Sequence, residues 1–243
     1  HSSNKSALSF LETSLFKETT DKAILKNRSI FYNRCMQFSG PLMAKGVEDT
    51  LMYNYNRLLA HNEVGDSLNR FGISIKHYHR EMHRRYANFP YAMNATATHD
   101  TKRGEDTRAR LIALAHNSER WERLVAALDE LIDTPTIHPN DAYFVYQTII
   151  GTLPLDDKDF KQFKIRVQEY LEKVLREAKR RSDWAKPDSN YEELVKRFAT
   201  SLIEPISKSD TLQQVLSDIE DEGLFNTVLQ TVLKLTSPGI PDI

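Results

Sequence analysis

The sequence predicts a mainly helical chain with a short alternation of strand and helix in its middle, and three observations carry that prediction. Apolar residues recur at three- and four-residue spacing over most of the 243 residues. Only 8 Gly and 9 Pro interrupt them, too few breakers for a turn-rich β fold. Between residues 40 and 106, two short apolar segments are each followed by a polar loop and a helical stretch, the rhythm of parallel α/β architecture.

Taken in order, Leu8, Leu11, Leu15 and Phe16 predict an opening helix, with Ser2, Ser3 or Asn4 available as its N-cap. A second helix carries Ile24, Leu25, Ile30, Phe31 and Met36 and is expected to stop at Gly40-Pro41, because a proline pushes the preceding residue toward extended geometry. Gly40 to Ala44 then reads as a short strand, Lys45 to Thr50 as a polar loop, and Asp49 to His61 as a helix burying Leu51, Met52, Tyr55, Leu58 and Leu59. Tyr91 to Thr98 is the second strand, followed by Thr101 to Asp106 and another helix. Leu111, Leu114, Trp121, Leu124, Val125, Leu128 and Ile132 form a pair of helices broken near Asn117-Ser118. Asn140 is the expected N-cap for Tyr143 to Ile150. Phe160, Phe163, Val167, Tyr170, Leu171, Val174 and Leu175 outline a long amphipathic helix. Further helices are expected at Tyr191–Ile203, Leu212–Ile219 and Leu224–Leu235, before an extended stub from Ser237 to Ile243. A helix at one end and a Pro-flanked stub at the other suggest a piece of something larger.

Composition bounds the function. With 33 Lys+Arg against 34 Asp+Glu the formal net charge is -1, so the basic excess of a dedicated nucleic-acid binder is absent. Apolar content of 40% and charged content of 28% describe an ordinary soluble domain. No apolar run approaches the roughly 20 residues of a bilayer span, and no signal-peptide pattern opens the sequence. Neither nucleic acid nor membrane is therefore an expected partner. The single cysteine, Cys35, excludes an internal disulfide framework and fits a reducing compartment, so a cytoplasmic location is expected.

The richest polar cluster is Thr98-His99-Asp100-Thr101-Lys102-Arg103-Gly104-Glu105-Asp106. A carboxylate beside an imidazole at the carboxyl end of a strand is where barrel enzymes place catalytic groups. The competing reading is a solvated loop in which Glu105 and Asp106 favour the dipole of the next helix. Lys45 to Thr50 occupies the equivalent place after the preceding strand, and there Glu48 and Asp49 read first as helix N-terminal acids. His79 and His83, with His77 nearby, share a helical face and could in principle hold zinc. Their His-x-Glu-x-His order around Glu81 is not the zinc-peptidase pattern, and no third ligand is indicated, so a surface helix is expected and no metal. Arg176, Lys179, Arg180 and Arg181 beside Trp184 read as a solvated helix end with a packed tryptophan, given Glu172 and Glu177 among them. No Gly-x-Ser-x-Gly motif or phosphate-binding glycine loop occurs, and no cofactor is implied.

Longer motifs carry a resemblance. Gly40-Pro41-Leu42-Met43-Ala44-Lys45-Gly46-Val47-Glu48-Asp49-Thr50, then Tyr53, Tyr55-Asn56-Arg57-Leu58 and Asn62-Glu63-Val64-Gly65, are similar to the malto-oligosyltrehalose synthase family, a branch of the α-amylase family of glycoside hydrolases. So are Ala95 through Leu111, Tyr146-Gln147-Thr148, Arg176-Glu177-Ala178-Lys179, Trp184 and the terminal Leu235 through Ile243. Asp183 stands before Trp184 where the family often has a smaller residue.

The resemblance implies the sixth to eighth βα segments of a (β/α)8 barrel with helical insertions: residues 1–39 a helical insertion, 40–116 a partial barrel segment with the His-Asp motif, 117–236 a helical subdomain, and 237–243 the start of the last strand. It implies an isomerase of carbohydrate metabolism, an intramolecular transglucosylase of trehalose biosynthesis. This enzyme converts the reducing-end α-1,4 bond of a malto-oligosaccharide into an α,α-1,1 bond. Asp100 would be a catalytic carboxylate; His99, Lys102, Lys45, Arg103 and Glu48 would contact sugar. A retaining glycosidase needs two further carboxyls roughly 5 Å apart, a nucleophile and an acid/base. In the family these come from the fourth and fifth strands, whose motifs do not occur here, so the chain alone is expected to be inactive and to need the remaining barrel strands as partner. The alternative is a non-catalytic helical glucan-binding or assembly fragment that retains the family loops.

Overall fold

The computed structural model describes residues 2–131, 137–154 and 160–242. The chain divides into two compact units, residues 1–48 and 49–243. Among the described residues nearly all regular structure is helical, and strand pairing is confined to two residues on each side.

The first unit is helix α1 (Ser2–Phe16), helix α2 (Lys22–Met43) and a π-helical turn, Ala44–Glu48. The opening helix starts no later than Ser2, so Ser3 and Asn4 lie inside it. Asp21 caps α2, its Oδ1 accepting from the backbone N–H groups of Ala23 and Ile24 at 2.8 and 3.2 Å. The expected strand Gly40–Ala44 is instead the end of α2 and the start of the π turn. Among the described residues it has no strand to pair with, and helix lets it satisfy its backbone internally. Pro41 lacks an N–H and sits inside the helix. Just beyond it the Ala44 N–H is shared between the carbonyls of Gly40 and Pro41, and the wider π-helical turn begins.

The second unit opens with an irregular segment. A continuous helix from Asp49 to His61 does not form; there are two 3-10 turns, Leu51–Tyr53 and Leu59–His61. The Asn62 amide donates to the carbonyls of Met52 and Tyr55 at 2.7 and 2.6 Å, and such side-chain bonds compete with a helical ladder. Met52, Leu58 and Leu59 are buried as expected, whereas Leu51 is exposed.

Among the described residues seven helices follow: α3 (Ile75–Asn88), α4 (Glu105–His116), α5 (Ser118–Glu130), α6 (Pro139–Thr152), α7 (Phe160–Ala178), α8 (Ser189–Lys208) and α9 (Asp210–Thr236). Asn117 caps α5 through Arg120 N–H, which is the expected break. Ile132 lies outside the described residues. Helix α6 begins with Pro139 at its first position and is capped by the His138 ring, not by Asn140. It is the centre of the core, with every residue from Phe144 to Gly151 buried. Amphipathic α7 lays Phe163, Val167, Leu171 and Val174 against Val195, Phe198, Leu202 and Ile206 of α8. The two expected C-terminal helices are one, α9, running through Gly223. A Cβ there would stand 2.8 Å from Arg110 Cγ and 3.2 Å from its Cα, so the glycine lets α4 and α9 approach closely.

The strands are β1 (Met93–Asn94) and β2 (Ile240–Pro241), parallel, with Met93 opposite Ile240 and Asn94 opposite Pro241. The expected strand Tyr91–Thr98 thus shrinks to its centre. The end of the expected final strand, Ile243, lies outside the described residues. Asn94 ties the approach to β2 by donating to the carbonyls of Ser237 and Pro238 at 3.2 and 3.3 Å.

Two predictions follow from these contacts. Gly239 has φ +133°, and a Cβ would stand 2.4 Å from the Ala92 carbonyl oxygen. Gly239→Ala should break the Ile240 N–H to Ala92 bond, which is 3.0 Å long, while the helical core stays folded; faster amide exchange at Ile240 and Asp242 but not at Leu202 reports it. Glu192, 2% exposed, takes both Arg176 donors at 2.8 Å and the Ser182 hydroxyl at 2.5 Å. These bonds, Arg176 foremost, hold its carboxyl below the ordinary 4.5 against the opposing effect of burial. Its stabilisation is therefore complete above the ordinary value and is lost as pH falls through the depressed one. Urea midpoints of wild type and Glu192→Gln should differ at neutral pH and converge only as pH falls below the depressed value.

Candidate functional site

The polar loop between β1 and α4 is organised by its two threonines. Thr101 N–H donates to the Thr98 carbonyl at 3.1 Å, and Thr98 N–H donates to Thr101 Oγ1 at 2.5 Å. This closes a tight turn with His99 and Asp100 at its two central positions. Both side chains are exposed, and neither has a hydrogen bond or ion pair among the described residues. Arg108, one turn into α4, donates to the Thr96 carbonyl and ties the loop to the helix. Gly104 is the N-cap of α4 and offers no capping side chain, while Glu105 and Asp106 in the first turn complement the helix dipole.

The next residues point inward. The Lys102 ammonium pairs with Asp49 at 2.9 Å, its side chain only 5% exposed, and lies 5.9 Å from the Tyr53 ring centre. Burial, foremost, pushes the Tyr53 hydroxyl well above its ordinary range, so it stays a neutral phenol. Arg103 is buried. Its guanidinium donates to the Leu59 and Asn62 carbonyls at 3.2 and 3.4 Å and to the Tyr170 hydroxyl at 3.2 Å, with its carbon 5.6 Å from the Phe144 ring centre. Burial likewise raises Tyr170, with Arg103 pulling the other way. Beside them a cavity of about 290 Å3 is lined by Arg103, Thr107, Thr148, Thr152 and Tyr170 among others.

Of the six residues singled out in the sequence, the structure brings His99, Asp100, Lys102 and Arg103 together on one loop. The first two face solvent and the last two face protein. Lys45 and Glu48 lie in the π-helical turn of the first unit. Sequence reasoning passed over Asp49, Tyr53 and Glu63 as site residues. Only the run Asn62-Glu63-Val64-Gly65 marked the last, and it gave no role. The Glu63 carboxylate, 8% exposed, accepts from three backbone N–H groups, those of Val64, Lys102 and Arg103.

The other clusters hold no comparable arrangement. On α3, Glu81 pairs with Arg84 at 2.9 Å and stands 3.9 Å from His77, and no group of three potential metal ligands exists among the described residues. Arg176 and Arg181 are consumed by Glu192 and Asp141. Trp184 is half exposed, not packed, and lies under the Arg176 guanidinium at 5.1 Å with its Nε1 bonded to Glu177. No described helix is long and apolar enough to cross a membrane.

The helical chain with its exposed His-Asp turn after a parallel strand can be set beside known proteins. No protein-family model matches the chain. A Mycobacterium tuberculosis protein assigned as a maltooligosyl trehalose synthase is 29% identical over 210 residues, 86% of this chain and 27% of that protein. The solved maltooligosyltrehalose synthase of Arthrobacter ramosus is 34% identical with a TM-score of 0.71, over 85% of this chain and 26% of that one. A Sulfolobus tokodaii structure described as a hypothetical maltooligosyl trehalose synthase is 30% identical with a TM-score of 0.73, over 94% and 33%. The chain is thus similar, along most of its own length, to maltooligosyl trehalose synthases, and spans about a quarter to a third of the length of these relatives.

The contacts of Arg103 generate a further prediction. Arg103→Met leaves the Leu59 and Asn62 carbonyls and the Tyr170 hydroxyl without their donor, which should cost about 2 kcal/mol or more in urea unfolding.

Proposed function

We propose that this chain is the portion of an α-glucan intramolecular transglucosylase that supplies one of its catalytic carboxylates. In that reaction the reducing-end α-1,4 bond of a malto-oligosaccharide becomes an α,α-1,1 bond, leaving a non-reducing trehalosyl end. The observation that supports this reading most directly is the His99–Asp100 turn. It follows a strand paired in parallel, on the side where βα enzymes gather their chemistry, and it leaves a carboxylate and an imidazole with no partner among the described residues. Similarity to maltooligosyl trehalose synthases adds the substrate class.

On this reading Asp100, an acceptor through both oxygens, bonds adjacent hydroxyls of one glucose ring, and its charge favours the positive character that develops there in an oxocarbenium-like transition state. His99 contacts the same ring. Lys102 stands near the released glucose and its neighbours, and Arg103 adds a sugar contact; Lys45 and Glu48 take the same role from the resemblance of their motif alone. In Arg103 that role is joined to a structural one, since its donors brace residues 59–62. The nucleophile and the acid/base come from other strands of a (β/α)8 barrel in a longer protein. The chemistry needs no cofactor, since three carboxyls supply every proton and charge it requires.

Asp100→Asn in the catalytically complete protein should lower turnover about a hundredfold or more while leaving the fold intact, because an amide cannot supply the charge. Near-normal turnover overturns the assignment. The 243-residue chain alone should leave the reducing ends of maltopentaose untouched. Their loss, with contaminating amylase controlled for, would show that the other carboxyls are not needed and would return the non-transferring alternative, a glucan-binding fragment, to the discard.

A further inference from the structure

We propose that Glu63 is the positioning residue of this site: its buried carboxylate fixes the backbone that presents Asp100, and this role rests on the glucan reading given above. The turn itself fixes little. His99 and Asp100 are exposed and bonded to nothing among the described residues, so their placement depends on the backbone to either side. On the strand side that backbone is tied through Thr96 to Arg108. On the helix side the tie is Glu63.

The geometry is specific. Glu63 Oε1 accepts from Lys102 N–H at 2.9 Å and Oε2 from the same N–H at 3.1 Å and from Arg103 N–H at 3.3 Å. Oε1 also accepts from Val64 N–H at 2.9 Å, which sets the direction of the carboxylate. Two consecutive amides, two and three residues beyond Asp100, thus converge on one carboxylate as they would on a bound anion, and both lie just ahead of α4. Bonds of this kind, with one partner charged, are the stronger class. The side chain of Arg103 does not bond Glu63; it braces Asn62, the residue before it, so carboxylate and loop are held from both directions. Asn62 is wholly buried and bonded to Met52 and Tyr55, which makes the platform under Glu63 rigid. The Glu63 carboxylate spends its bonds on backbone amides of its own chain, which separates it from a residue that touches substrate.

The test uses the 243-residue chain, isotope-labelled, with maltopentaose as probe. Glu63→Gln keeps the shape but offers the two amides one acceptor instead of two and no charge; Glu63→Ala removes both. Exchange of the Lys102 and Arg103 amides should accelerate about tenfold in Glu63→Gln and more in Glu63→Ala, with the Leu202 amide unchanged as the control for folding. Maltopentaose-induced shifts at His99 and Asp100 should weaken in the same order, with apparent affinity falling about fivefold or more, an effect that loss of stability alone would not grade by acceptor number. Unchanged exchange at Lys102 and Arg103 overturns the proposal, as does faster exchange with wild-type affinity. A wild-type chain whose His99 and Asp100 resonances ignore maltopentaose marks failure of the glucan reading instead. In that case the exchange result describes a structural tie alone, and the positioning role falls with the reading.

Discussion

A polypeptide that crosses a packed helical core without forming regular structure must still find partners for its N–H and C=O groups, and that constraint governs the second unit. Residues 49–74 run over α4, α6 and α7 with only two short 3-10 turns. Gln147, buried in the middle of α6, answers part of the need. Its Oε1 accepts from Leu59 N–H and its Nε2 donates to the Asn56 carbonyl, both at 2.8 Å. Asn56 and Asn140 add further bonds, the Asn56 side chain donating to the Asn140 carbonyl and the Asn140 side chain to that of Asn54. An apolar residue of similar volume at position 147 would leave two buried backbone groups unmatched, each at a cost of about 1–3 kcal/mol. Once that segment is fixed, Leu59 and Asn62 present carbonyls to Arg103, and Glu63 presents its carboxylate to the loop that follows.

The result is a gradient of burial along a single loop. From Arg103 back to His99, side chains pass from enclosed and fully bonded, through the paired Lys102, to exposed and unbonded. Enclosed groups supply rigidity, because moving them would strand donors and acceptors away from water. Exposed groups keep their hydrogen-bonding capacity for something outside the chain. This division resembles that of enzyme loops generally, where the residues that act are few and depend on neighbours that never meet the substrate.

Much of this was legible in the sequence wherever periodicity was strong. The spacing of Phe163, Val167, Leu171 and Val174 announced α7, and Asn117 announced a helix break, because both signals are local. The failures share a cause in long-range context. Gly40-Pro41 is a sound stop signal for a helix, yet a strand needs a hydrogen-bonded neighbour, and helix prevailed where none was at hand. From Asp49 to His61 the apolar spacing was helical, but asparagines that bond across the segment outcompeted the ladder. Two helices, Leu212–Ile219 and Leu224–Leu235, were expected where one runs through Gly223, a poor helix former; only the nearness of Arg110 explains that glycine inside a helix. The exposed half of the site, His99 and Asp100, stood out as a dense run of polar residues. Its buried half did not, since a lone Glu63 forty residues upstream has no periodic or compositional mark.

The pairing of β1 with β2 also bears on how the molecule reaches its structure. Asn94 holds the Ser237 carbonyl across a separation of 143 residues, and among the described residues six helices lie between them. Such a contact returns almost nothing until the intervening chain is already compact, whereas α7 and α8 can meet over a short connection. Assembly from helices outward follows, with the small parallel ladder closing near the end. The turn that carries His99 and Asp100 leaves directly from that ladder, so it acquires its final place only when the rest of the unit has formed around it.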